Sequence, residues 1–176
     1  RKGFRVRTYT CNLHMFDPSW FQQNGRAVSE GLAKQMLLSD NPKFVAASEA
    51  YIKYIKHGGE ILMEDFSLLL FRKILGKNLP IIAGLNCTWL YQTKRELKDT
   101  TPDDIAGKSA GHFVVIYGLD EDSREFLIAD PYTDHPFSDC LQRQSHYRVS
   151  LSRLVGAIML GIATYDAKLL VLSPRE

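Results

Sequence analysis

The amino-acid sequence predicts an α+β fold in which N-terminal helices pack on a mostly antiparallel sheet. Three observations predict this class. A strand-like alternation opens the chain, three segments with helical spacing of apolar residues follow it, and short apolar runs separated by turn residues fill the second half. Strands and helices that are grouped in this way, and do not alternate regularly, are typical of α+β proteins.

The N-terminal half supplies one strand and three helices. Residues 3–10 (GFRVRTYT) alternate in the way that a strand requires. The spacing of apolar residues predicts three helices, within residues 26–40, 42–57 and 63–78. Asn41 and Pro42 mark the start of the second helix, because proline suits the first helical position, and Gly58–Gly59 marks its end.

The second half supplies the sheet. Apolar runs predict strands at 79–86, 111–120, 124–131, 146–150 and 161–174. Residues 88–110 are polar and are predicted to form a loop. A short helix is expected over 150–160, with Ser150 as its N-cap.

Length, charge and cysteine content exclude several classes of protein. The 176 residues, of which 45% are hydrophobic, predict one domain over 1–176. A net charge of +2 gives no strong field to attract nucleic acid or an anionic membrane, and no apolar run is long enough to span a bilayer. Three widely spaced cysteines, with no CxxC pair, argue against a disulfide framework and favour a reducing, cytoplasmic compartment.

The strongest functional pattern is a pair of apolar runs with a histidine at the head and an aspartate at the tail. In an antiparallel hairpin whose paired residue numbers add up to 242, three pairs would face one side: Ile116 with Phe126, Val114 with Ile128, and His112 with Asp130. The carboxylate of Asp130 would then orient the imidazole of His112 and stabilise its charged form. This is the supporting part of a nucleophilic site, which still lacks a nucleophile.

An ordinary structural role would also account for both residues. An Asp-Pro pair commonly ends a strand, because aspartate starts turns and proline cannot continue the ladder of hydrogen bonds. A single histidine at a strand end is also usually structural.

The segments GHFVVIYGLD and FLIADPY resemble the His and Asp segments of papain-like cysteine peptidases related to the bacteriocin-processing, double-glycine-leader peptidases and their soluble bacterial relatives. The matching positions are Gly111, His112, Phe113, Val114, Val115, Gly118, Asp130 and Pro131. The resemblance implies a papain-like fold, a peptide or protein substrate, His112 as the general acid and base, and Asp130 as the residue that orients it. It implies no metal and no cofactor.

In this family the nucleophilic cysteine opens a helix that precedes the strand found here at 3–10, with a glutamine shortly before it. The chain begins at Arg1, without methionine and almost inside a strand, so we expect a truncated or processed product whose nucleophile precedes Arg1. The chain alone would then be inactive.

The three cysteines of the chain are weaker candidates for the nucleophile. Cys11 follows a strand with no clear helix start after it, and Cys140 comes after Asp130, which breaks the family order. Cys87 follows the apolar strand and is expected near the edge of the sheet that carries His112 and Asp130, where a buried, inert thiol is the more frequent state.

Several other features are weaker candidates for a functional site. The loop from Asp130 to Cys140 contains Asp134, His135 and Asp139, but it has no metal-ligand spacing. Aromatic residues in two irregular segments could line a peptide groove or cap the core: Phe16, Trp20, Phe21, Trp89 and Tyr91. Asn86 is a possible polar contact near the site.

Two other functions are left open by the residues. One is a non-catalytic peptide-binding module on a degenerate peptidase fold. The other is an acyl- or amine-transferring enzyme that uses the same thioester intermediate.

Overall fold

The structure, a computed structural model, describes residues 3–22, 26–137, 145–164 and 167–175. The chain forms two compact units: one contains residues 1–65 and 172–176, and the other contains residues 66–171. The single domain expected over 1–176 stays a prediction. No helix within the described ranges is long and apolar enough to cross a membrane.

The first unit contains two paired strands and two helices. Its elements are β1 (Phe4–Thr10), a 3-10 helix (Pro18–Gln22), α1 (Arg26–Met36), α2 (Pro42–Lys56) and β2 (Glu60–Met63). Strands β1 and β2 are parallel, with Arg7 opposite Glu60. Strand β2 was not predicted from the sequence, because four residues that directly follow a helix and two glycines carry too little alternation to indicate a strand.

Helix α2 begins and ends where the sequence predicts. The side chain of Asn41 accepts hydrogen bonds from the backbone N–H groups of Lys43 at 3.0 Å and Phe44 at 3.4 Å, which is the N-cap arrangement. Pro42 is the first helical residue. Beyond the last turn, Gly58 has a φ of +84°, a left-handed conformation that favours glycine.

The second unit is built on a sheet of antiparallel strands. Its elements are α3 (Leu68–Leu75), β3 (Ile81–Asn86), α4 (Cys87–Tyr91), β4 (Gly111–Asp120), β5 (Glu125–Ala129), β6 (His146–Ser150), α5 (Leu151–Leu160), a 3-10 helix (Gly161–Thr164) and β7 (Lys168–Pro174), whose last three residues belong to the first unit. The strand order here is β7-β3-β4-β5-β6, and all four pairings are antiparallel. The α+β class with a mostly antiparallel sheet is therefore confirmed.

The core of this unit lies on one face of the sheet, where α3 and α5 pack. Fully buried side chains alternate along the strands at Ile81, Ala83, Leu85, Val114, Ile116, Phe126 and Ile128. The rings of Phe71 on α3 and Phe126 on β5 are 4.7 Å apart. On the opposite face of β4, Phe113 and Tyr117 are nearly half exposed. His112 shares the alternation of Val114, so it belongs to the core face.

Two helices of the second unit differ from expectation. Helix α3 starts at Leu68, later than predicted, because the side chain of Ser67 accepts a hydrogen bond from Leu70 N–H and caps the helix there. Helix α4 lies in the segment predicted to be a loop. The Ser150 cap of α5 is confirmed, since its side chain accepts from Arg153 N–H.

Truncating Phe126 is expected to destabilise the protein strongly. Phe126→Ala removes a fully buried ring and should lower the free energy of unfolding by about 3–5 kcal/mol. The matched control is Phe113→Ala, because Phe113 is 45% exposed on the neighbouring strand. This substitution should lower the free energy of unfolding by only about 1 kcal/mol. Urea unfolding of both variants checks this, and equal losses would show that the core does not lie on the face described here.

Candidate active site

The pairing of β4 with β5 differs from the predicted register. Ile116 lies opposite Ile128 and Val115 opposite Ala129, so the expected pairing of Ile116 with Phe126 is wrong by two residues. The register changes between Ile116 and Gly118 because of a bulge.

The turn between the two strands accounts for this error. Asp120 pairs with Glu125, which leaves a connection of four residues. The Asp120 carboxylate accepts hydrogen bonds from the N–H groups of Asp122 and Ser123, and Arg124 has a φ of +55°. A turn of this kind and a bulge cannot be read from the apolar pattern alone.

The two-residue shift keeps His112 and Asp130 on the same face of the sheet. Side chains alternate with a period of two along a strand, so only an odd shift would have separated them. His112 and Asp130 are diagonal neighbours and do not form a directly opposed pair. Such neighbours remain within reach of long side chains.

His112 and Asp130 are joined by a short hydrogen bond. Nε2 of His112 lies 2.7 Å from Oδ1 of Asp130. The side chain of Asp130 is fully buried and that of His112 is 22% exposed, so the pair lies at the rim of the core. Because an ionised carboxylate only accepts, Nε2–H donates, and Nδ1 of the neutral ring becomes the acceptor.

Three further groups donate to the carboxylate of Asp130. The hydroxyl groups of Tyr91 and Tyr147 donate to Oδ2 at 2.7 and 2.8 Å. The backbone N–H of Tyr132 donates to Oδ1 at 2.9 Å. With His112, four donors surround one buried carboxylate, two on each oxygen.

Strand and helix geometry places the two tyrosines at Asp130. Tyr147 on β6 lies opposite Ile128, so its side chain is diagonal to Asp130 on the same face. Tyr91 is the last residue of α4, whose start is fixed by Asn86: the Asn86 side chain accepts from Trp89 N–H at 3.0 Å. Asn86 therefore has a capping role.

Neither tyrosine was predicted to contact the His–Asp pair. For Tyr147 a signal was present, because it alternates with Val149 along a predicted strand that borders the Asp130 strand. Tyr91 was predicted only as an aromatic residue of a groove or of the core, because its segment was predicted to be a loop.

The four donors keep Asp130 ionised. Burial acts to raise the pKa of this carboxyl, but the hydrogen bonds from His112, Tyr91, the Tyr132 N–H and Tyr147 outweigh it and lower the pKa to about 2. At any physiological pH, therefore, Asp130 carries a negative charge beside His112.

A cleft of about 670 Å³ adjoins the pair. Its walls include His112, Tyr91, Tyr132, Cys87 and Glu96. Nε2 of His112 is engaged by Asp130, and within the part of the chain that the structure describes Nδ1 makes no hydrogen bond. This volume lies within the range of ordinary ligand-binding pockets.

The thiol of Cys87 lies in this cleft but is not activated. Sγ donates to the carbonyl of Ala110 at 3.3 Å and makes no hydrogen bond to His112. Burial, assisted by the negative charge of Glu96, raises the pKa of this thiol to about 11. A nucleophilic cysteine needs a lowered pKa, so the raised pKa of Cys87 argues against this role.

Cys11 supplies no better candidate. Cys11 follows β1 in the first unit, no α-helix begins at it, and burial raises the pKa of its thiol. Cys140 lies outside the described residues, as does Asp139 of the acidic loop.

The remaining residues of that loop do not form a metal site. His135 is buried, and its Nδ1 accepts from Phe137 N–H at 3.2 Å. Asp134 is exposed on the wall of the cleft. Across the described ranges, no three His, Cys, Asp or Glu side chains are grouped so that they could hold a metal ion.

The sequence model of the Peptidase C39-like family matches residues 29–147, more than half of the chain. The chain belongs to the Peptidase C39-like family. The matched range includes His112, Asp130 and both tyrosines, so the whole described cluster lies within the C39-like region. The resemblance found in the His and Asp segments is thereby confirmed.

Comparison with solved structures gives a more distant similarity. The chain is 18% identical to a Bacillus anthracis protein whose crystal structure is described as that of a C39-like peptidase, with a TM-score of 0.35. The match covers 62% of this chain and 48% of the other, so the chain spans about half the length of that structure. Among curated proteins, none matches the chain significantly.

Neutralising Asp130 is expected to destabilise the protein in a pH-dependent way. The pKa of Asp130 falls from 3.8 to about 2 on folding, so its ionised form stabilises the fold above pH 4, and this is lost as the pH falls through 2. Asp130→Asn should therefore cost about 2 kcal/mol at pH 7 and less near pH 2. Urea unfolding between pH 7 and 2 measures this, with the exposed Asp134→Asn as control. A loss of stability that stays constant between pH 7 and 2 would show that the ionised form of Asp130 does not stabilise the fold.

Alkylation of Cys87 is expected to be slow at neutral pH. In a Cys11→Ser, Cys140→Ser variant, the thiol should react with iodoacetamide at least roughly tenfold more slowly at pH 7 than a free cysteine, and the rate should rise up to about pH 11. The same profile is expected after His112→Ala. Fast labelling at pH 7 that requires His112 would instead identify Cys87 as the nucleophile.

Proposed function

We propose that this member of the C39-like family contributes the acid–base pair of a cysteine peptidase that acts on peptides or proteins. His112 transfers the proton, and Asp130 orients the imidazole ring of His112. The observation that supports this most directly is the 2.7 Å hydrogen bond from His112 Nε2 to a fully buried, ionised carboxylate at the edge of a cleft.

The geometry supports a defined role for each ring nitrogen. With Nε2–H held by Asp130, Nδ1 is the atom that takes the proton from a cysteine thiol. The thiolate then attacks the scissile carbonyl, and the C–N bond breaks as the imidazolium protonates the leaving amine. Water, deprotonated by His112, hydrolyses the thioester and regenerates the thiol. Asp130 stabilises the imidazolium in both halves of the reaction.

The nucleophile is the part of the mechanism that the described residues do not supply. Cys87 is protonated at neutral pH and donates to Ala110. We therefore propose that the reactive cysteine lies outside the described residues and, by the family order of Cys, His and Asp, before His112, which excludes Cys140.

A non-catalytic peptide-binding module is the second candidate. The state of Cys87 favours it, because a cleft with a protonated thiol and a histidine at its wall can hold a peptide without cleaving it. In that case Asp130 would serve only to stabilise the fold.

Peptide hydrolysis by the natural protein tests the proposal. Cleavage of an unstructured protein substrate, followed by mass spectrometry, should fall at least about a hundredfold in His112→Ala and in Asp130→Asn. The matched control is His146→Ala, because His146 lies on β6 on the opposite face of the sheet and should leave cleavage unchanged.

Two outcomes would reject the peptidase assignment. Cleavage that persists in His112→Ala would show that this residue is not the acid and base. Peptides that bind without being cleaved, with equal affinity in the wild type and in Asp130→Asn, would identify the binding module.

A further inference from the structure

The two tyrosines at Asp130 are buried donors that stay protonated. Tyr147 is 6% exposed and Tyr91 is 8% exposed. Burial and the neighbouring charge of Asp130 raise the pKa of both phenols. Neither hydroxyl is therefore a source of negative charge at neutral pH, and both remain available to donate to Oδ2.

Their hydrogen bonds constrain how the carboxylate can rotate. Oδ2 receives two phenol hydroxyls at 2.7 and 2.8 Å, while Oδ1 receives His112 Nε2–H and the Tyr132 N–H. Rotation of the Asp130 carboxylate about its Cβ–Cγ bond would break hydrogen bonds at both oxygens. Such a rotation would cost more than a single bond is worth, because charged acceptors form the stronger hydrogen bonds.

The tyrosine rings are themselves held by aromatic packing. The ring of His135 packs edge-on against Tyr147 at 4.6 Å and is stacked on Tyr91 at 5.9 Å. Phe137 is stacked on Tyr147 at 4.7 Å. The two hydroxyl groups therefore lie on side chains that have little freedom to turn away from Asp130.

We propose that Tyr91 and Tyr147 are positioning residues of the peptidase site, which hold the Asp130 carboxylate in the orientation that presents Oδ1 to His112 Nε2. They act through Asp130 and do not touch the reacting atoms. The inference rests on the proposed function, because it is the orientation of His112 that the tyrosines maintain. It gives the reaction two residues beyond His112 and Asp130.

The first arm of the test needs no enzymatic activity. In protein labelled with ¹³C at aspartate carboxyl carbons, Tyr91→Phe and Tyr147→Phe should each raise the pKa of Asp130 from about 2 towards 3.8. Exchange of the His112 Nε2–H proton with solvent should accelerate in both variants. Tyr117→Phe is the matched control, because Tyr117 is 46% exposed and lies on the opposite face of β4. An Asp130 pKa and a His112 exchange rate that match the wild type in both variants would overturn the proposal.

The second arm is a double-mutant cycle on peptide turnover. Each tyrosine variant should lower kcat about tenfold with little change in KM, since a positioning residue affects the reaction and not the binding of substrate. In an Asp130→Ala background the same tyrosine changes should cause no further loss. A tenfold loss that persists in that background would show that the tyrosines act without Asp130 and would overturn the proposal.

The two arms separate failure of the inference from failure of the proposed function. If the natural protein cleaves no peptide, the peptidase assignment fails. The first arm then decides by itself whether the tyrosines position the His112–Asp130 pair.

Discussion

A buried carboxylate that must stay charged is the constraint on which the site depends. An isolated ionised carboxylate costs far more free energy in a protein interior than a folded domain can supply, so it requires compensating donors. Asp130 obtains four of them, from β4, β6, the end of α4 and the residues that follow β5. The same contacts that make its burial tolerable also fix the plane of the carboxylate. Stability and orientation of the site therefore have one physical origin.

His112 and Asp130 contact each other although the register predicted for their strands was wrong. The sequence indicated that His112 and Asp130 share a face, and this depends only on the two-residue period of a strand. The turn shifted the pairing of Leu119 and Asp120 by three residues, and the bulge after Ile116 reduced the shift by one, so the net shift at His112 is two residues. The shared face of His112 and Asp130 was thus predicted correctly, while their directly opposed partners were not.

The helices differ in whether they could be predicted from the sequence, and the reasons are physical. The capped helix α2 could be located because Asn41, Pro42 and Gly58 each require a particular backbone conformation. Helix α4 could not be located, because five residues carry no periodic signal, and the contact of Tyr91 with Asp130 could not be predicted without it. The sequence favoured an inert thiol at Cys87, but the contribution of Glu96 to its raised pKa could not be predicted, because Glu96 is a neighbour only in the folded chain.

The tautomer of neutral His112 shows directly whether Nε2–H donates to Asp130. Nitrogen-15 NMR of histidine-labelled protein, recorded at a pH where the ring is neutral, distinguishes a protonated from an unprotonated ring nitrogen. We predict that Nε2 carries the proton, with Nδ1 unprotonated and able to accept one from a thiol. A neutral ring that carries its proton on Nδ1 would contradict the roles given to both nitrogens, because Nε2 would then have no hydrogen to donate to Asp130.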